Sequence, residues 1–196
     1  MSNAGGFKSL NRYYDMLAGN TTWNPWEPQG AYDALSTVTV GATSVASIDF
    51  AGIPNTYKHL QIRVMAKDST TGNGDLRYQF NGDTATNYSF HWLSGNGSTA
   101  SAGGYGGTAY GNINNWATGT GSTNQFSAAI IDILDYTDTN KYTTGRALGG
   151  RDNNGSGWLE LTSMSWRNTA AVSSIKFFLT TGNIPQYSQF TLYGIR

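Results

Sequence analysis

The sequence predicts an all-β fold, an antiparallel two-sheet sandwich that is jelly-roll-like, preceded by a short N-terminal helix and an extended arm. Three observations carry this. Beyond residue 31, apolar and polar residues alternate with period 2 in run after run, the spacing of half-buried strands. Turn signals separate those runs with no helical pattern between them, which favours packed antiparallel sheets over a parallel α/β arrangement. The composition agrees: 25 of 196 residues are Gly and only 12% are charged, a balance that suits short strands joined by polar turns.

In chain order, residues 7–18 (FKSLNRYYDMLA) carry the one helical pattern. Phe7, Leu10, Tyr14 and Leu17 recur at spacings of three and four, and Gly19-Asn20 follow as a stop. The stretch TTWNPWEPQG comes next, where prolines stiffen an extended connector and Trp23 and Trp26 need cover. Residues 1–31 thus form a helix and an anchoring arm, which either folds back on its own domain or docks on a neighbouring subunit. Residues 32–196 form the sandwich domain.

Its strands are expected at 34–40, 45–50, 57–66, 75–80, 87–93, 126–134, 141–148, 157–166, 173–180 and 188–195. The third is the clearest: Leu60, Ile62, Val64 and Ala66 share one face, His59, Gln61, Arg63 and Met65 the other. Asn81-Gly82 between LRYQF and a second aromatic run reads as a hairpin turn. FSAAIIDILDY is apolar on both faces and reads as a central strand. Leu60, Ile62, Val64, Phe80, Phe90, Ile130, Phe177 and Phe190 are expected between the sheets. Residues 94–125 read as a long Gly-, Ser- and Thr-rich loop at one end of the sandwich, with Tyr105, Tyr110 and Trp116 standing out as isolated aromatics.

Function classes narrow by exclusion. The 12 basic residues balance 12 acidic ones, so no nucleic-acid or anionic-membrane footprint is expected. The N-terminus lacks the apolar run of a signal peptide, and no stretch approaches the length of a membrane span. Without cysteine there is no thiolate chemistry. His59 and His91 have no carboxylate at a ligand-like spacing, and Asp132, Asp135 and Asp138 do not match the oxygen pattern of a calcium loop. Gly103–Gly107 precedes no helix, so it is not a phosphate cradle. Glu160 alternates with Trp158, Thr162, Met164 and Trp166, yet glycoside hydrolysis needs a second carboxyl group that the sequence does not identify. No catalytic residue, metal or cofactor is expected.

Several phrases together, YYDMLAGN, IPNTYKHLQIRVMA, LRYQFNGDTATNYSFHWL, IIDILDYTDTNKYTTGRALGG and NTAAVSSIKFFLTTGNIPQYSQFTLYGIR, resemble a family of small tailed-bacteriophage virion proteins. The resemblance runs from about Tyr14 to Arg196 and implies a non-enzymatic structural protein located in the virion. It implies a jelly-roll capsid decoration (cement) protein bound to other virion proteins; the apolar stripe Phe7, Leu10, Tyr14 and Leu17 and the indoles Trp23 and Trp26, which need cover, are expected to make the attachment. A neutral surface of low charge density predicts a homo-oligomer, and the resemblance implies that it is a trimer. The alternative is a tail-fibre or receptor-binding module that recognises host surface glycan through Tyr105, Tyr110 and Trp116.

Overall fold

The computed structural model describes residues 31–69, 74–113 and 124–196. The expected helix over 7–18 and the connector with Trp23 and Trp26 lie outside the described residues, as does Trp116. Among the described residues there are twelve strands and no helix. They are β1 (Tyr32–Thr39), β2 (Ser47–Ala51), β3 (His59–Ala66), β4 (Leu76–Phe80), β5 (Tyr88–Gly95) and β6 (Ala100–Thr108). β7 (Gly111–Ile113), β8 (Ser127–Leu134), β9 (Thr143–Asp152), β10 (Gly157–Trp166), β11 (Ser174–Leu179) and β12 (Gln189–Ile195) follow.

All pairings are antiparallel. A large sheet runs β1-β12-β3-β8-β9-β10-β5-β6, and a small one runs β2-β11-β4-β7. Period-2 alternation decides which side chains enter the space between them. Leu60, Ile62 and Val64 of β3, Ile131 and Ile133 of β8, and Phe190 and Leu192 of β12 fill it from the large sheet. Phe50, Tyr78, Phe80, Ile113 and Phe177 fill it from the small one. The sheets meet ring against ring: Phe177 lies 5.5 Å from Phe190 and Phe80 lies 5.5 Å from Trp166. Each such side chain contributes on the order of 2–3 kcal/mol by leaving water.

Every strand expected from the sequence is present within a few residues of its predicted bounds, but three expectations fail. Ile130 is 45% exposed and its neighbour Ile131 is buried. The pairings Ile62↔Ile131 and Val64↔Ala129 fix the register, and with it which isoleucine turns inward. A run apolar on both faces carries no signal for that choice. The hairpin at Asn81-Gly82 is also absent. The turn itself forms, with φ of 52° and 67° at the two residues and the Asp83 N–H donating to the Phe80 carbonyl at 2.9 Å. The chain then crosses to the large sheet instead of pairing β4 with β5. Asp83 holds that crossing, since its carboxylate accepts from Trp166 Nε1 at 2.7 Å, Asn87 Nδ2 at 2.8 Å and the Ala85 N–H at 2.8 Å. Finally, 94–125 is not a structureless loop, because it contains β6 and β7.

Candidate ligand-binding cleft

Glycine normally weakens a strand, yet the stretch around Gly103, Gly104, Gly106 and Gly107 forms most of β6, paired along β5. Its neighbours explain this. Trp92 of β5 stands opposite Gly103, and a Cβ at 103 would sit 2.4 Å from the indole Cζ2. Only the missing side chain lets the indole lie across β6. Two residues on, Tyr105 points to the same side of the strand and stacks on Trp92, centroids 5.7 Å apart and planes 22° apart. Phe90, directly opposite Tyr105, is buried beneath them with its ring 5.7 Å from Tyr105 and 6.2 Å from Trp92.

β6 is the edge of the eight-stranded sheet, and β7 is the edge of the four-stranded one. The wider sheet overhangs the narrower there, so the Trp92–Tyr105 pair faces a cleft rather than the core. After β6, the single O–H of Thr108 lies within hydrogen-bond reach of two carbonyls, those of Tyr110 (2.8 Å) and Tyr88 (3.1 Å), and Gln79 Nε2 donates to the Ala109 carbonyl at 3.0 Å. These bonds turn the chain into β7, whose Gly111 leaves room for the ring of Tyr78. Tyr110 is thereby set under Arg77, whose guanidinium carbon lies 3.8 Å from the ring centroid. That is a close cation–π contact.

The remaining wall is polar. Asn112 stands opposite Arg77, and its Nδ2 donates to Asp75 Oδ2 at 3.1 Å. Arg77 Nε is buried and has no hydrogen-bond partner among the described residues. Together Asp75, Arg77, Phe90, Trp92, Tyr105, Thr108, Tyr110 and Asn112 line a cleft of about 410 Å³. That volume falls in the range of about 300–1,000 Å³ of small-molecule sites, where aromatic walls and a few placed polar groups divide binding from orientation. A flat indole–phenol platform accepts the C–H face of a saturated ring. A carboxylate, a guanidinium and an amide beside it reach hydroxyl groups on that ring's rim.

Tyr105 and Tyr110, singled out in the sequence, both line this cleft. Trp92, Asp75, Arg77, Thr108 and Asn112 escaped the sequence reading, and Phe90, expected between the sheets, is buried against this cleft instead; two signals point to the aromatic pair. Phe90 and Trp92 alternate on one face, and a strand with glycines on both sides of one tyrosine marks a close approach by a neighbour. The other singled-out groups lie elsewhere. His59 Nδ1 accepts from the Asp135 N–H at 2.9 Å, and Asp132 accepts from Gln61 Nε2 at 2.9 Å and Arg146 Nε at 3.1 Å. Asp135 pairs with Lys58 at 2.8 Å and with Lys141, and Asp138 with Lys141 at 3.4 Å. The Lys141 and Lys58 ammonium groups hold the Asp135 carboxyl down at about 2. Glu160 is buried and accepts from Thr162 Oγ1 at 2.9 Å.

Comparison with protein-family models, with curated proteins and with solved structures finds no match for this chain.

Proposed function

We propose that this chain is a non-enzymatic recognition module of a tailed-phage virion that holds an uncharged sugar ring of a host surface glycan in the Trp92–Tyr105 cleft. One observation carries the reading: a stacked indole–phenol pair, kept flat by Gly103, faces a wall of Asp75, Arg77 and Asn112. One carboxylate and one guanidinium in the same cleft favour a neutral ligand over either sign of charge. The virion setting rests on the resemblance of the strand and turn phrases to small phage virion proteins. Strand order supports a jelly roll within that reading. Without β5, β6, β9 and β10 the sheets reduce to β1-β12-β3-β8 and β2-β11-β4-β7, four strands each, with near neighbours in sequence facing one another across the core.

The test is a glycan array probed with the full chain, then titration of the best-retained sugar by intrinsic tryptophan fluorescence. Trp92→Ala and Tyr105→Ala are expected to abolish retention while leaving the far-UV circular dichroism unchanged. Retention that survives both substitutions ends the proposal.

A second reading, a capsid decoration protein attached through residues 1–31 and assembled as a homo-oligomer, has a different observation in its favour. The outer face of the large sheet is unusually apolar for a free surface, as described below, and permanent shell contacts need such faces. Copy number separates the two on purified particles: one copy per shell subunit supports decoration, and a count matching a tail appendage supports recognition.

A further inference from the structure

The outer face of the large sheet carries a row of aliphatic side chains that the core does not use. Ile130 of β8 stands opposite Leu148 of β9, Leu148 opposite Leu161 of β10, and Leu161 opposite Leu93 of β5. The register therefore draws one continuous ridge across four strands. Its members are 45%, 51%, 51% and 57% exposed. Isolated exposed leucines are ordinary, but a contiguous apolar patch on a soluble surface marks an interaction site.

One rank along the strands the face changes character. Ala128 stands opposite Gly150, and Gly150 opposite Leu159. The two small residues floor a shallow groove of about 970 Å³, walled by Phe126, Ile130, Leu148, Trp158 and Leu159. Ridge and groove thus lie side by side, parallel to each other and across the same strands.

We infer that this face is the contact between two copies of the chain, related by a two-fold axis that runs between ridge and groove. Such a rotation sets each copy's ridge over the other's groove. Ile130 and Leu148 then meet Ala128 and Gly150 of the second copy, and Leu161 meets its Leu159. A surface that complements itself in this way is what an isologous contact requires. A foreign partner has no need of a groove matched to the chain's own ridge. Two twisted sheets pack face to face within about 30° of alignment, so the geometry is a common one.

Area and charge agree. The four strands that carry ridge and groove, about 4.8 Å apart and each about eight residues at roughly 3.3 Å, present an apolar centre on the order of 400–500 Å², and the flanking strands of the eight-stranded sheet extend the face to roughly 900 Å². A stable interface needs about 800 Å² from each partner, with an apolar centre inside a polar rim. Of the neighbouring charges, Asp132 accepts from Gln61 and Arg146, Arg63 donates to Gln61 Oε1 and lies over the Tyr193 ring, and Arg151 and Asp152 stand on the polar rim of the groove. The chain's formal net charge is zero, so no long-range repulsion opposes a second copy. A two-fold contact of this face yields a dimer, in contrast to the trimer that the phage resemblance implies. It is independent of what the cleft binds.

The experiment is light scattering on the full chain at tens of micromolar. The expected mass is twice 21.1 kDa, and Leu161→Arg is expected to return it to a single chain with an unchanged circular dichroism spectrum. Because Leu161 is half exposed, the charge is tolerated in the isolated fold. A second readout uses the absence of cysteine: the single thiol of Leu161→Cys should react with a maleimide more slowly at high protein concentration than at low. A monomeric or trimeric wild-type chain, a dimer that survives Leu161→Arg, or thiol labelling independent of concentration each overturns the inference.

Discussion

Replacing Gly103 with alanine tests whether the aromatic platform is built by a missing side chain. The new Cβ would sit 2.4, 2.5 and 3.0 Å from Trp92 Cζ2, Cη2 and Cε2. Carbon atoms rest at about 3.5–4.0 Å, so the indole has to retreat by roughly 1 Å or swing off the strand. Trp92 is only partly buried and lies beside the edge of the sheet, so it can move without opening the core. Global stability should change by less than about 1 kcal/mol, since alanine in a strand is itself favoured over glycine by roughly 0.5–1 kcal/mol. What is lost is the stack on Tyr105, worth about 0.5–1.5 kcal/mol. If the ligand sees that loss in full, affinity falls about 2- to 13-fold. The matched control is Gly106→Ala in the same strand, whose Cβ would meet only Ser89 Cβ at 3.9 Å. Titration of the best array sugar, with near-UV circular dichroism to report the stack, compares the two. Equal affinity for Gly103→Ala and wild type, or an equal loss in Gly106→Ala, refutes the reasoning.

Three further outcomes follow from the same geometry. Gly111→Ala places a Cβ 1.7 Å from Tyr78 Cζ, and Tyr78 is buried with nowhere to go. Overpacking of about 1–3 kcal/mol should then lower the melting temperature by roughly 2–4 °C per kcal/mol, and an unchanged melt is the contrary result. The β8 register predicts that Ile131→Ala costs about 2–5 kcal/mol and Ile130→Ala about 0.5 kcal/mol in dilute protein, by chemical denaturation; the reverse order would mean the register is wrong. The Asp135 carboxyl is held at about 2 by Lys141 and Lys58, below its ordinary 3.8. The unfolded chain therefore takes up that proton first, so the stabilisation is complete above about pH 4 and is lost as pH falls toward 2. Asp135→Asn, which keeps the left-handed backbone at this position (φ 46°) available, should show a smaller drop in melting temperature between pH 4 and pH 2 than wild type.

Strand positions were legible because period-2 alternation survives wherever one face of a strand is wet, as in Leu76, Tyr78 and Phe80 against Arg77 and Gln79. Pairing was not legible from local signals. Asn81-Gly82 dictates a turn with positive φ, but whether the chain returns beside β4 or crosses to the other sheet is decided by Asp83 and its bonds to Trp166, 83 residues away. β8 failed for the opposite reason, since two adjacent isoleucines satisfy either face and only the partner strand β3 chooses. In β6 the residues that usually argue against a strand are there to accommodate Trp92 and His91 of β5. Two of the eight residues lining the cleft, Tyr105 and Tyr110, were visible. Most of the rest, Asp75, Arg77, Phe90 and Trp92, come from β4, the residue before it and β5, which fold beside them from a distance in sequence.

The cleft and the leucine ridge meet on β5 and use its opposite sides, and this bears on how tightly the protein could hold a cell surface. Trp92 of β5 faces the cleft, while Leu93 of the same strand faces outward. Pairing through the ridge therefore leaves the cleft open and gives each assembly two sites. A small site closed over one sugar ring binds weakly, because one stacked face and a few hydrogen bonds must outweigh the cost of immobilising ligand and side chains. Two sites held together meet a repeating glycan at an effective concentration in the millimolar range, which raises retention by about 10²–10⁴ when the spacing permits both to engage. Leu161→Arg separates these contributions. Its affinity for the free sugar in solution should equal that of wild type, while its retention on a densely coated glycan surface should fall at least about a hundredfold. Equal surface retention of the two proteins would show that the sites act singly, and that the ridge contributes nothing to adhesion.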